Sequence, residues 1–267
     1  MKKLHIYITF ISLFTFISCV EDISQDFEFK EQVFISGLLT NEEGFVSVQV
    51  QKTVPVTDTT FSAVNDAQIS LFTRDASDTV SLVSDSFIAD NGQYTSAEMI
   101  TPIIGNTYWI EVMLQDETVL ISEKEILRPP IPITDMVKTD DSIRITFTGP
   151  IDVQNFYLIQ LEILKDGVLI SDELIVSNDR IINEEEEKVL VITGMNEGET
   201  LRVDISNINF TTFQFYSNVI SNQGNEPEVS SLFLPVNLVG NITNTVTDEL
   251  VLGNFGIAGL TAITIDF

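Results

Sequence analysis

Short segments in which apolar and polar residues alternate recur along most of the chain. In residues 45–51 every second residue from Val46 is apolar, and residues 142–148 repeat the pattern. Because successive side chains of a strand point to opposite faces, this period of two is typical of strands with one buried face. Turn dipeptides such as Asn91-Gly92 and Asp166-Gly167 separate the segments. The pattern predicts a mainly all-β fold.

The strand-rich segments fall into two groups on either side of a proline-rich segment. Residues 128–132 read Arg-Pro-Pro-Ile-Pro, and prolines remove backbone donors, so a central strand cannot pass through them. We therefore predict an N-terminal β-sandwich over 32–128, a linker over 129–135 and a C-terminal β-sandwich over 136–267. A proline-rich edge inside one larger sandwich is the alternative.

The two groups resemble different sandwich modules. In the first, the order Ala-x-Ile-x-Leu, Asn-Gly-x-Tyr and Gly-x-x-Tyr-x-Ile-x-Val resembles transthyretin-like and carboxypeptidase-regulatory-like modules, within the immunoglobulin/transthyretin-like class. The second group resembles a fibronectin-III or immunoglobulin-like sandwich. Such modules bind other molecules or act as spacers far more often than they catalyse reactions.

One segment has the period of a helix. Phe213, Tyr216 and Ile220 are spaced i, i+3 and i+7, which is the spacing of one helical face. We predict one short helix near 209–222, with Gly224 as a plausible stop. Phe213, Phe215 and Tyr216 cannot all face one side of a helix, which leaves one of them open to a partner.

The first residues have the features of an export signal. Two lysines precede an apolar stretch that ends before Ser18-Cys19, and this stretch is shorter than the roughly 20 residues of a membrane-spanning helix. The sequence Phe16-Ile17-Ser18-Cys19 resembles the bacterial lipobox, in which the cysteine receives diacylglycerol and the new N-terminus an acyl chain such as palmitate. We predict a lipoprotein signal peptide over 1–18, lipidation of Cys19 and a flexible acidic tether over 19–31. An ordinary secretory signal with a chance cysteine is the alternative.

The composition excludes several function classes. Beyond residue 18 the chain has no histidine and no cysteine except Cys19, which excludes Ser-His-Asp and Cys-His catalysis, Cys/His zinc sites and disulfides. The net charge of -27 disfavours nucleic acid as a partner. No phosphate-binding or dinucleotide-binding glycine motif occurs, and no pair of acids stands out as a glycosidase pair. We expect no enzyme, no cofactor and no tightly bound metal.

Two further groups of residues have competing interpretations. Asp140-Asp141 and the run Glu184–Glu187 are weak candidates for loose calcium binding, with solvated charge as the better interpretation. Tyr108 and Trp109 lie next to each other on a predicted strand, so one of them points away from the core. Trp109 is then either a stacking platform for a carbohydrate or, as we favour, a packed core residue.

The C-terminal third carries the most specific motifs. They are the aromatic helix 213–216, Gln223-Gly224, Leu232-Phe233, Pro235 followed by Gly240-Asn241-Ile242, and the segment from Val251 through Gly253 and Asn254 to Phe255. This order resembles the C-terminal signature of the domain of unknown function 4249, which is found in Bacteroidota lipoproteins. Gly37, Ala67, residues 91–94 and the lipobox also fit, while Asn254 stands where the family often has tyrosine.

The glycines of this motif have a structural interpretation. Gly240 and Gly253 are expected where a Cβ is excluded or φ is positive. Pro235 is expected to start a strand. We therefore favour a structural β-hairpin that closes the second domain over a binding site.

The resemblance implies a location and a class of partner. Members are outer-membrane lipoproteins whose genes often neighbour those of TonB-dependent receptors. The acidic residues Glu21 and Asp22 resemble the Bacteroidota signal for export to the cell surface. We expect a non-catalytic, surface-exposed outer-membrane lipoprotein, held in the membrane by the lipid on Cys19. Its expected role is that of an accessory or ligand-capturing partner of a TonB-dependent transporter; a structural or adhesive surface module is the alternative.

Overall fold

The computed structural model describes residues 29–55, 62–150, 153–179, 187–223 and 238–267. The predicted signal peptide, Cys19, most of the tether, Gly224 and Pro235 lie outside the described residues. Within this part of the chain, no helix is long and apolar enough to cross a membrane. Eighteen strands and one helix are described, so the prediction of a mainly all-β fold with one helix is confirmed.

The first ten strands lie before the proline-rich segment. They are β1 (Val33–Thr40), β2 (Ser47–Lys52), β3 (Ser62–Ala63), β4 (Gln68–Arg74), β5 (Val80–Ser84), β6 (Phe87–Asp90), β7 (Gln93–Ser96), β8 (Thr107–Met113), β9 (Val119–Ser122) and β10 (Glu125–Ile126). The later elements are β11 (Ile133–Lys138), β12 (Ser142–Thr148), β13 (Phe156–Lys165), β14 (Val168–Asn178), β15 (Glu187–Thr193), β16 (Glu199–Ile208), helix α1 (Phe210–Gln223), β17 (Val239–Asn244) and β18 (Leu250–Asp266).

The first hydrophobic core lies against a sheet that contains strands from both ends of the chain. The strand order is β5-β4-β8-β9-β17-β18-β1-β2-β7-β6, and the core includes Val48, Ile110, Ile242 and Phe255. β18 runs parallel to β1. The domain prediction assigned β17 and β18 to the C-terminal sandwich, whereas the structure places β17 and the first half of β18 in the sheet of the N-terminal strands.

The second hydrophobic core lies between two layers of strands. One layer is the three-stranded sheet β11-β12-β15. The other consists of β14, β13, β16 and the second half of β18. Alternate residues of these strands, among them Ile145, Ile159, Val203 and Ile265, are buried between the layers. This packing explains the period of two in the sequence, because each strand buries one face.

Strand β18 connects the two cores. Its residues 252–258 pair with β1, and its residues 259–266 pair with β16. A Cβ on Gly259 would overlap the backbone of Arg128 and Pro129, so the glycine lets the proline-rich segment cross close to the strand. Leu127 packs in the first core and Ile131 in the second. The segment predicted to be a linker therefore runs from one core to the other beside β18.

Helix α1 covers the outer face of the β13–β14–β16 layer. Phe213 and Tyr216 pack there against Phe156 and its neighbours. Phe215 is 4% exposed, and its ring centroid lies 6.3 Å from that of Phe34. The expectation that one of the three helix aromatics stays open is wrong, because the helix packs against β1 as well as β13 and so buries more than one face.

Candidate functional site

The Asn241 side chain hydrogen-bonds the backbone of β18 where regular strand pairing is interrupted. It is fully buried. Asn241 Oδ1 accepts a hydrogen bond from the Phe255 backbone N–H (2.9 Å), and Nδ2 donates to Phe255 O (2.8 Å). The register between β17 and β18 is irregular at this point. The carboxamide therefore satisfies backbone groups that regular strand pairing leaves open, as buried groups require.

The two motif glycines allow close backbone contacts beside Asn241. Gly253 has φ +107°, and a Cβ there would overlap the backbone of Ile35 in β1. A Cβ on Gly240 would lie 2.8 Å from Asn254 Cβ. The motif thus has the structural role that we expected, but it closes the sheet around the first core rather than the second domain.

Glu125 has a buried carboxyl beside the irregular pairing of β17 and β18. It is 7% exposed and accepts hydrogen bonds from Asn241 Nδ2 (2.7 Å) and from the Ile257 backbone N–H (3.3 Å). Burial raises the pKa of the Glu125 carboxyl to about 7. Hydrogen bonds from Asn241, Asn209 and Ile257 N–H act in the opposite direction, and the charge of Glu123 adds to the rise.

The first turn of α1 joins this network. Asn209 Oδ1 accepts from the Thr212 backbone N–H (2.7 Å) and so caps the helix. The Asn209 side chain also lies close enough to Glu125 to lower the pKa of its carboxyl. Asn254 Nδ2 donates to Thr212 Oγ1 (3.1 Å). One polar network therefore ties together β10, β17, β18 and α1.

A cleft of about 540 Å³ opens beside the network. We call it the junction cleft because its lining contains the segment that passes from the first core to the second. Its lining residues come from three segments: Glu123, Lys124, Glu125, Ile126, Arg128 and Pro129; Pro150, Val153 and Asn155; and Asn207 and Asn209. Its volume lies within the range of about 300–1,000 Å³ typical of small-ligand sites.

Asn207 is a lining residue of the junction cleft, and its carboxamide is buried and unpaired among the described residues. By strand parity it continues the row of Val203 and Ile205, whose side chains face the second core. It is 0% exposed, and neither its Nδ2 nor its Oδ1 has a hydrogen-bond partner among the described residues. Its neighbour across the β16–β18 pair is Gly259, which has no side chain to contact it.

Asn155 adds a second free acceptor, held in a fixed position. Its Nδ2 donates to Asp179 Oδ2 (2.8 Å) and to Pro150 O (2.9 Å), and its backbone N–H donates to Asp179 Oδ1 (2.6 Å). Tyr157 Oη donates to the same carboxylate (2.8 Å). Asn155 Oδ1 has no hydrogen-bond partner among the described residues.

The rim of the junction cleft carries both signs of charge. Lys124 Nζ lies 4.5 Å from the centroid of the Trp109 ring, and Glu123 Oε2 accepts from Thr211 Oγ1 (3.3 Å). Arg128 is half-buried and takes part in none of the ion pairs found among the described residues. A rim of mixed charge favours neither a cation nor an anion inside the cleft.

Trp109 is a packed residue. It is 3% exposed and stacks on Phe72 with 5.5 Å between ring centroids. It lies on the face of β8 opposite Tyr108, which belongs to the first core. Trp109 is therefore buried, as the packing interpretation expected, but beneath Lys124 and Phe72 rather than inside that core.

The other sequence candidates do not come together as a site. Asp140 and Asp141 lie in the turn between β11 and β12, and most of the Glu184–Glu187 run lies outside the described residues. In the part of the chain that the structure describes, no group of three or more His, Cys, Asp or Glu residues is arranged to hold a metal ion. The predicted lipidation site, Cys19, also lies outside it.

Sequence reasoning missed Glu125, Asn155 and Asn207. The sequence Ser122-Glu123-Lys124-Glu125 has the composition of an exposed charged turn, which hides the burial of its last residue. For Asn207 a signal was present, since an asparagine stands where the alternation of β16 calls for an apolar side chain. Residues 206–208 directly precede the helix predicted near 209–222, so the continuation of the strand through Asn207 was not recognised.

Two solved structures show distant similarity to this chain. A trypsin-activated alpha-2-macroglobulin from Escherichia coli is similar over 68% of this chain, with 12% identity and a TM-score of 0.21, and the match spans 15% of the macroglobulin chain. CBD12 from CALX1.2 is similar over 87% of this chain and 99% of its own, with 10% identity and a TM-score of 0.23. Neither similarity carries an argument about function.

Comparison by sequence assigns a family. No curated protein matches the chain. The family model described as "Domain of unknown function (DUF4249)" matches residues 20–263, which include the glycine–asparagine motif and the residues of the junction cleft. Because the match covers most of the chain, the chain belongs to the DUF4249 family.

Proposed function

We propose that this protein is a non-catalytic lipoprotein of the outer-membrane surface that captures a ligand for a TonB-dependent transporter. A lipid on Cys19 holds it at the membrane. Confinement to the membrane raises its effective concentration beside a barrel partner, so even a weak contact with the barrel leads to association. The junction cleft is the site that captures the ligand.

The observation that carries the capture role is the free carboxamide of Asn207. A buried polar group without a partner costs about 1–3 kcal/mol, and an apolar residue at this point of β16 would avoid that cost. The cleft beside it has a size that suits a small ligand. A ligand that pairs with the amide recovers the lost hydrogen bonds, which gives the asparagine a reason to be there.

The lipobox supports the location. The order Phe16-Ile17-Ser18-Cys19 meets the requirements of lipidation, and two or more acyl chains on one protein give stable membrane attachment. The acidic residues that follow Cys19, Glu21 and Asp22, support export to the cell surface.

Anchoring is tested by the substitution Cys19→Ser in the native host. Cells are labelled with radioactive palmitate, and their membranes are separated on a density gradient. We expect the wild type to carry label and to sediment with the outer membrane, while the variant carries none and leaves that fraction. Ser24→Thr, which lies in the predicted tether and leaves the lipobox intact, is the control. Outer-membrane recovery of unlabelled wild-type protein would contradict the proposal.

The transporter role is tested by affinity purification from solubilised outer membrane. We expect the wild type to recover a TonB-dependent barrel at near-stoichiometric yield. The adhesive alternative is favoured by the exposed side chains of Val168, Leu169 and Ile170 on β14. Among the described strands β14 pairs with β13 alone, so it is a sheet edge open to association. Recovery of other surface proteins without a barrel, lost on Leu169→Lys, would support that alternative.

A further inference from the structure

We propose that the junction cleft binds an uncharged, hydroxyl-rich ligand of the saccharide class, held by the free carboxamide of Asn207 and the free Oδ1 of Asn155. This inference rests on the proposed capture function and specifies its ligand. It names the chemical class of the molecule that binds in the cleft.

The free hydrogen-bonding capacity of the cleft is of both kinds. Asn207 offers two N–H donors and one carbonyl acceptor, and Asn155 offers one further acceptor. A ligand that satisfies both residues must donate and accept hydrogen bonds within a small volume. A hydroxyl group does both, and neighbouring hydroxyls on a sugar ring can meet the donors and the acceptors together.

The charges around the cleft disfavour an ionic ligand. The chain has a net charge of -27, and Glu123 and Glu125 line the cleft, so an anion is repelled. Lys124 and Arg128 line the same cleft and disfavour a cation. Because no single charge dominates the lining, a neutral polar ligand fits it best.

The remaining lining is apolar and suits the carbon face of a sugar ring. Ile126, Pro129, Pro150 and Val153 contribute to the walls. Burial of C–H surface against such residues adds affinity, while the two asparagines supply direction and specificity. Ile126 is 59% exposed, so its side chain is available to a ligand and can be changed without disturbing a core.

The Asn155 side chain is held in a fixed position before a ligand binds. Its Nδ2 is committed to Asp179 and Pro150, so its Oδ1 cannot turn away to find another donor. Binding groups that are held in place before the ligand arrives lose less entropy when it binds. The free acceptor is therefore preorganised.

The test is a binding titration followed by NMR and calorimetry. The probes are the neutral disaccharides maltose, cellobiose and lactose, the charged sugars gluconate and glucosamine, and the amide N-acetylalanine amide. The full chain is purified from membranes in a detergent without a sugar headgroup. We expect at least one neutral disaccharide to bind and to shift the side-chain amide resonances of Asn207, with the charged sugars and the amide binding more weakly.

Two variants and a control locate the binding. Asn207→Leu should raise the dissociation constant of the disaccharide by about tenfold or more. Ile126→Asp, which adds a charge to the apolar wall, should also weaken it without altering the circular dichroism of the chain. Ile104→Asp, at an exposed position outside the cleft lining, should bind like the wild type.

Three results would overturn the inference. They are the absence of binding by all neutral disaccharides, unchanged binding by both Asn207→Leu and Ile126→Asp, and tighter binding of the amide or of a charged sugar. The Cys19→Ser protein separates this inference from the proposed function as a whole. Loss of anchoring leaves disaccharide binding intact, and failure of disaccharide binding leaves the results on anchoring and barrel recovery unchanged.

Discussion

Asn241 and Asn207 are both fully buried asparagines, yet their surroundings differ completely. The Asn241 side chain makes three hydrogen bonds, two to the backbone of Phe255 and one to Glu125. Asn207 makes none through its side chain among the described residues. The first lies where β18 leaves regular pairing, and the second lies where the second core borders the junction cleft.

The difference separates a structural role from a binding role. A buried amide whose groups are all paired stabilises the fold, and its removal leaves its former partners unpaired. A buried amide without partners destabilises the fold, so its presence points to a requirement other than stability. We therefore expect the same substitution, asparagine to leucine, to lower the free energy of unfolding at Asn241 and to raise it at Asn207.

The largest effect is expected for Asn241→Leu. The change leaves the Phe255 N–H and C=O unpaired and removes a donor from Glu125, so we expect the free energy of unfolding to fall by about 4 kcal/mol. Urea denaturation followed by circular dichroism measures it. Asn178→Leu, at an exposed position on β14, is the control. A loss below about 1 kcal/mol would show that the hydrogen bonds of the Asn241 side chain do not stabilise the fold as proposed.

The second effect concerns pH and Glu125. Because its pKa is about 7 in the fold and 4.5 in the unfolded chain, the unfolded chain releases this proton first as pH rises. The contribution of Glu125 to stability is therefore greatest below pH 4.5 and falls by about 3 kcal/mol as pH rises to about 7.

Glu125→Gln should remove this dependence on pH. We expect the unfolding free energy of the variant to vary less steeply between about pH 4.5 and pH 7 than that of the wild type. Glu98→Gln, at an exposed position, is the control. Parallel pH profiles for the wild type and Glu125→Gln would rule out a buried carboxyl that titrates in this range.

The third effect has the opposite sign. Asn207→Leu restores the apolar alternation of β16 and removes an unpaired amide, so we expect the free energy of unfolding to rise by about 1–2 kcal/mol. The measurement is the same urea titration as for Asn241→Leu. A loss of stability comparable to that of Asn241→Leu would mean that the two asparagines share a structural role.

The smallest effect is expected at the rim of the cleft. Lys124→Gln removes the cation above Trp109 and should cost less than about 1 kcal/mol. Because Trp109 is the only tryptophan of the chain, its fluorescence should shift toward longer wavelength as water gains access to the ring. An emission spectrum no different from that of Lys165→Gln, an exposed lysine on β13, would argue against this contact.

Local sequence patterns predicted much of the secondary structure. Alternation identified β2 and β12 because each buries one face. The predicted turns Asn91-Gly92 and Asp166-Gly167 begin with residues that have positive φ. The helix was predicted because its apolar residues follow a period of 3.6. Such local signals predict an element correctly where it packs against one neighbouring layer.

The path of β18 could not be predicted in the same way. Its residues Gly253, Gly256 and Gly259 look like interruptions of a strand, whereas in the fold they make room for Ile35, Thr212 and the proline-rich segment. Such contacts join residues that are far apart in the chain, and a local pattern carries no information about them. The same limit explains why Glu125 and Asn155 were missed, since their burial depends on segments distant in the chain.

We have proposed that Asn207 is retained for a ligand and not for the fold. The most direct test is the thermal unfolding of the wild type and Asn207→Leu, each with and without the disaccharide that binds most tightly. A ligand that binds only the folded state raises its unfolding temperature. We predict that Asn207→Leu unfolds at a higher temperature than the wild type without disaccharide, and that only the wild type gains stability when disaccharide is added. An Asn207→Leu protein that is less stable than the wild type, and that disaccharide stabilises as much as the wild type, would contradict this role of Asn207.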